Sequence, residues 1–136
     1  MNTRILMTAS SLFLGLAGLF ASFAPQELLT FLDSPAAGLA PVLVQLMGAL
    51  YFSYALVNWA AKDSLIGGIY SRPVSLGNMA HFLIGALVLA KSQSVGLGNG
   101  TTLVLLVVYV VFAVLFGGLV FGRGAAGKVA KVNPAG

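Results

Sequence analysis

Four runs of apolar residues, each close to the length that crosses a bilayer, constrain this chain more than any other feature. A transmembrane helix needs about 20 mostly apolar residues. The candidate spans are residues 5–23, 39–61, 76–90 and 102–121. A water-soluble fold is the competing outcome, and composition removes it. Only 7% of the residues are charged and 59% are hydrophobic, with a mean hydropathy of +1.00. A soluble domain carries roughly 25% charged residues. A chain of 136 residues cannot hide this much apolar surface in one soluble core.

The spans differ in quality. The first has the outline of a signal peptide, but a cut after Ala24 would place Pro25 next to the scissile bond, so it reads as a retained helix. The second starts near Leu39 with Pro41 in its first turn. An earlier start, with Ser34 as cap and Pro35 at the first helical position, would make Pro41 a kink. The third is the weakest, being short and opening on Gly77 and Asn78. The fourth is rich in Val and Leu, and Tyr109 is its strongest polar side chain.

The connections carry their own signals. Residues 25–35 predict a short interfacial helix, with Leu28, Leu29, Phe31 and Leu32 towards the membrane and Glu27 and Asp33 towards water. Residues 62–75 hold the turn or extended signals Gly67-Gly68 and Arg72-Pro73, and Asp63 is a candidate partner for Arg72. Residues 91–101 read as a flexible loop, and residues 122–136 as a basic, flexible tail. The expected fold is therefore all-α: an antiparallel four-transmembrane-helix bundle over residues 1–121, with one short interfacial helix between the first two spans.

Lys and Arg distribution orients such a bundle. Arg4, Lys62, Arg72, Arg123, Lys128 and Lys131 fall on one side and Lys91 alone on the other. The expected topology is N-in and C-in. The net charge of +4 follows the flanks of the spans, which suits anionic lipid headgroups and gives no stripe for nucleic acid.

Helices in lipid associate through small residues and hydrogen bonds. Ser11, Gly15, Gly18 and Ser22 share one face of the first span. Gly48 and Ala49, Gly77 and Gly85, and Gly117-Gly118 supply small surfaces on the others. Such faces serve either the bundle itself or an oligomer. Polar residues form a second pattern. Met47, Tyr51, Tyr54 and Asn58 lie along one stripe of the second span, and Asn78, His81 and Gly85 along one of the third. Two antiparallel helices joined by a short loop bring these stripes together.

Two readings of that cluster compete. One is interhelical glue, with His81 bonded to Asn58 or a tyrosine; Asn and His often tie membrane helices together. The other is a binding site in which His81 takes a haem, a chlorin or a quinone oxygen and Tyr51, Tyr54, Asn58 and Asn78 add hydrogen bonds. A lone histidine without cysteines is a poor metal site. No Asp, Glu, Lys or Arg lies inside a span, and no catalytic constellation is visible, so nothing points to an enzyme. Trp59 reads as an interfacial anchor, and Gln45 as a buried helix contact.

The stretches GALYFSYALVNWAAK, LIGGIYSRPVSLGN and HFLIGAL, within residues 43–91, resemble a family of small uncharacterised four-helix membrane proteins of Bacteroidetes-type bacteria. The resemblance implies a compact bundle in a bacterial cytoplasmic (inner) membrane and supplies no mechanism. The leading functional expectation is a non-enzymatic accessory or scaffold subunit, or a homo-oligomer. The alternatives are a binder of a lipophilic ligand at His81 and a small channel or transporter for a neutral solute.

Overall fold

The computed structural model describes residues 3–63 and 71–122. Among the described residues the chain is all helix, in the order α1 (Thr3–Phe23), α2 (Pro25–Phe31), α3 (Ala40–Ala61), α4 (Ser71–Ser94) and α5 (Gly100–Gly122). Gly67-Gly68 and the basic tail from residue 123 onwards lie outside the described residues. Four of the helices are long and apolar enough to cross a membrane. At a rise of about 1.5 Å per residue, their 21 to 24 residues cover the ~30 Å hydrocarbon layer. The fold is an antiparallel four-helix bundle with one short extra helix.

α4 departs most from its sequence expectation. It starts at Ser71 and runs to Ser94, well beyond residues 76–90. Arg72 and Pro73 sit in its first turn, where the missing proline N–H leaves no helical bond unmade. They are helix starters here and not an extended break. At the other end Ser92 and Ser94 donate from Oγ to Leu89 O (2.7 Å) and Lys91 O (2.8 Å), so polar side chains continue the helix.

The flexible loop expected over 91–101 is also shorter and better fixed than anticipated. α4 closes with paired bonds from Leu97 N to Ser92 O (3.0 Å) and from Gly96 N to Gln93 O (3.3 Å), with Gly96 at φ 74°. Glycine carries no Cβ penalty in that left-handed region. Asn99 then caps α5. Its Oδ1 accepts from Thr102 N (2.9 Å), and its own N–H donates to Thr102 Oγ1 (2.7 Å). That reciprocal pair satisfies donors the helix start leaves open.

α2 ends by the same device, with an unusual residue. Ser34 N bonds Leu29 O (2.9 Å), Asp33 N bonds Thr30 O (3.1 Å), and Asp33 takes the positive φ of 54°. The earlier start for α3 at Ser34-Pro35 is not used; Pro41 lies in the first turn of a helix that opens at Ala40. The apolar face of α2 is divided. Pro25 and Leu29 are buried against the bundle, whereas Phe31 is exposed, so the predicted four-residue lipid face is partly a protein contact.

The helices form two pairs. α1 with α3, and α4 with α5, approach closely along their lengths, while α3 with α4 and α1 with α5 meet through longer side chains. The first pair is drawn together by glycine. A Cβ on Gly18 would lie 2.6 Å from Phe52 N and 2.8 Å from Gly48 O, and one on Gly48 would lie 2.6 Å from Ser22 N. Gly15 faces Ala55 at the same interface, and Ser11 Oγ donates to Ala55 O (2.8 Å). Gln45 donates to Ser22 O (3.3 Å) but is exposed, not buried. Gly117 makes only ordinary contact with Met79, and Gly118 faces open space, so this last small-residue pair contributes no close approach.

The core between the pairs is aromatic. Phe82 of α4 stacks on Phe112 (4.6 Å) and Phe116 (5.9 Å) of α5, and Phe13 of α1 reaches Phe112 (5.7 Å) and Tyr109 (6.0 Å). Phe82 and Phe116 are wholly buried, with Leu6, Met7 and Leu14 of α1 beside them. Ring pairs of this kind add about 0.5–1.5 kcal/mol beyond the area they bury.

Candidate functional site

The polar side chains inside the spans converge where α1, α3 and α4 meet. Asn58 comes from the last turns of α3 and Asn78 from the second turn of α4; both are 0% exposed. Their amides bond reciprocally: Asn58 Nδ2 donates to Asn78 Oδ1 (2.8 Å), and Asn78 Nδ2 donates to Asn58 Oδ1 (2.7 Å). The second hydrogen of each amide is placed as well, on Ser10 Oγ (3.1 Å) and on Val74 O (2.9 Å). Ser10 passes its own hydrogen to Met7 O (3.0 Å). All four amide hydrogens are therefore used. In a hydrocarbon layer such closure matters, because no water is available to stand in for a missing partner.

His81 lies one turn deeper along α4 and outside this network. Its Nε2 is bonded neither to Asn58 nor to a tyrosine, the two partners a hydrogen-bonded glue offered; Asn78 takes the Asn58 amide. Rings pack against its partly exposed imidazole instead: Phe82 at 5.0 Å, Tyr51 at 5.2 Å edge-on, Tyr109 at 5.7 Å and Tyr54 at 5.8 Å. Nε2 is shut off from solvent and has no hydrogen-bond partner among the described residues. Tyr51 and Tyr109 bond each other through their hydroxyls (2.8 Å), tying α3 to α5.

Two glycines on the His81 face of α4 shape this pocket of rings. The Tyr54 hydroxyl occupies the space a Cβ on Gly77 would need, and the Tyr109 ring occupies that of Gly85. The two notches are thus filled. A haem or chlorin needs an open face at the ligating nitrogen, and His81 Nε2 is shut off from solvent. Among the described residues no group of three or more His, Cys, Asp or Glu could hold a metal ion.

The structure thus brings Tyr51, Tyr54, Asn58, Asn78 and His81 into one neighbourhood, but as two units: a closed amide pair and an aromatic box. Met47, on the same sequence stripe, is exposed and joins neither. Sequence reasoning missed Ser10 and Tyr109 as members. Ser10 lies beside the Ser11 face, and Tyr109 is the one strongly polar side chain of α5, so both left a signal.

The rim at the Arg4 and Asp63 end is built differently from expectation. Asp63 pairs with Arg4 (3.0 Å), not with Arg72, because the start of α1 and the end of α3 are neighbours in an antiparallel pair. Both partners are largely exposed, so the pair is worth about 0–1 kcal/mol. Lys62 Nζ lies 3.0 Å above the Trp59 ring, a cation held at an interfacial aromatic. At the opposite end Asn99 donates to Asp33 Oδ2 (3.0 Å) and Leu32 O (3.3 Å), fastening the α4–α5 connection to the end of α2.

Comparison with protein-family models, curated proteins and solved structures finds no match to this chain.

Proposed function

We propose that this chain is a non-enzymatic, multi-pass protein of a bacterial cytoplasmic membrane that works by association, as a homo-oligomer or as an accessory subunit of a larger membrane complex. One observation carries the reading: all four amide hydrogens of the Asn58–Asn78 pair are spent within the bundle. Groups used in this way hold helices together and leave no hydrogen free for substrate. The outward faces fit association. Ala49, Ser53 and Gly118 are small and exposed on α3 and α5, which are the least buried of the spans. Small outward residues let a neighbouring helix approach closely in lipid. The charge distribution supports an N-in, C-in orientation, with Arg4, Lys62 and Arg72 near anionic headgroups.

The test is the particle mass in nanodiscs after gentle extraction from native membrane. An oligomer, or one co-purifying membrane protein at fixed ratio, is expected. A lone monomer across mild detergents and nanodiscs overturns the reading.

A further inference from the structure

Among the described residues two buried side-chain polar atoms lack a hydrogen-bond partner, Thr3 Oγ1 at the start of α1 and His81 Nε2 deep in the bundle. A neutral imidazole nitrogen placed away from water should be hydrogen-bonded, and an orphan of this kind needs a reason. It sits in the seam between the two helix pairs, where contact is made by side chains and not by close backbone approach. The seam has one movable wall. Tyr54 is half-buried, and its hydroxyl rests in the Gly77 notch. The Tyr51–Tyr109 hydroxyl pair forms a fixed wall, and one of its two hydrogens is not consumed by the bond between them.

We infer that this seam receives a flat, uncharged lipophile carrying a ring oxygen, of the quinone class, with His81 Nε2 as its hydrogen-bonding anchor. Four features set the class. No Asp, Glu, Lys or Arg lies in the apolar runs of the four spans, so a charged ligand would find no counter-ion at this depth. The walls are aromatic rings, which match a flat ring better than an acyl chain. The Tyr54 hydroxyl fills the Gly77 notch, so in this proposal that one ring swings aside to admit a single flat ring. Neutral imidazole presents N–H in one tautomer and a lone pair in the other, so the same nitrogen serves a carbonyl or a hydroxyl oxygen. This goes beyond the association reading, and its readout is independent of particle mass.

The chain has a single histidine, which makes the test direct. Protein labelled with ¹⁵N-histidine, in nanodiscs of phosphatidylethanolamine and phosphatidylglycerol, is titrated with decylubiquinone. A saturable shift of the Nε2 resonance is expected, with none for decylbenzene, which lacks the oxygens. His81→Phe should weaken decylubiquinone retention about tenfold, the worth of one hydrogen bond, while His81→Gln should retain it. Three outcomes overturn the proposal: no shift up to membrane saturation, the same shift with decylbenzene, or an Nε2 already hydrogen-bonded in lipid alone and unmoved by the quinone. Should His81→Phe fail to fold, the labelled titration with its hydrocarbon control decides by itself.

Discussion

Asn58 and Asn78 show how one pair of side chains can fix the relation of three helices. Removing one amide strands the other in a layer without water, and the cost is that of an unpaired buried group. Asn58→Leu or Asn78→Leu should each lower unfolding stability by about 1–2 kcal/mol, read by denaturation in detergent micelles. The double variant should lose little more than either single one, since the second change removes the stranded partner. Additive losses would show that the two amides are not coupled. The sequence placed both residues on facing stripes, together with His81. It did not say which of Asn78 and His81 would meet Asn58. Those two differ by three residues, about 4.5 Å along α4, and only the longitudinal set of α4 against α3 chooses between them.

At the scale of elements, α1 and α3 are matched by what they lack. Gly18→Ala inserts a methyl group 2.6 Å from Phe52 N and 2.8 Å from Gly48 O, both backbone atoms that cannot rotate away. The helices must part, at a cost of about 1–3 kcal/mol. Gly118→Ala, by contrast, meets nothing within 4 Å and should change bundle stability by less than about 0.5 kcal/mol. Thermal unfolding of the two variants side by side checks the contrast, and equal effects would remove the close crossing as a determinant. The Ser11, Gly15, Gly18 and Ser22 face was legible from its spacing. Its partner was not, because Gly48 gives no sign of which of its neighbours it is cut to fit. The ends of α4 were misjudged for a related reason. Hydropathy stops at Ala90, while hydrogen bonds made by Ser92, Ser94 and Gly96 carry the helix further and then end it.

For the whole molecule, the antiparallel arrangement places Arg4 and Asp63 at one end and the Asn99–Asp33 contact at the other. The chain contains no cysteine, so single substitutions report topology cleanly. With N-in, C-in insertion, Ser34→Cys should react with a membrane-impermeant maleimide in intact spheroplasts, and Asp63→Cys only after lysis. The opposite pattern would invert the orientation. The two close pairs meet through side chains at the seam that holds His81.

What the sequence determined by itself was the class of structure: four apolar helices, their order, and the end of the bundle where basic residues gather. Hydropathy and charge act on each segment separately, so they can be read one segment at a time. Tertiary structure decided the partners: Asn58 with Asn78, Asp63 with Arg4, Tyr51 with Tyr109, and His81 with rings alone. Such choices depend on the rotation and sliding of one helix against another, set by the summed packing of both faces, which no single span contains. The four apolar runs thus specified a bundle, and the packing between them decided which polar groups were satisfied and left His81 Nε2 without a partner.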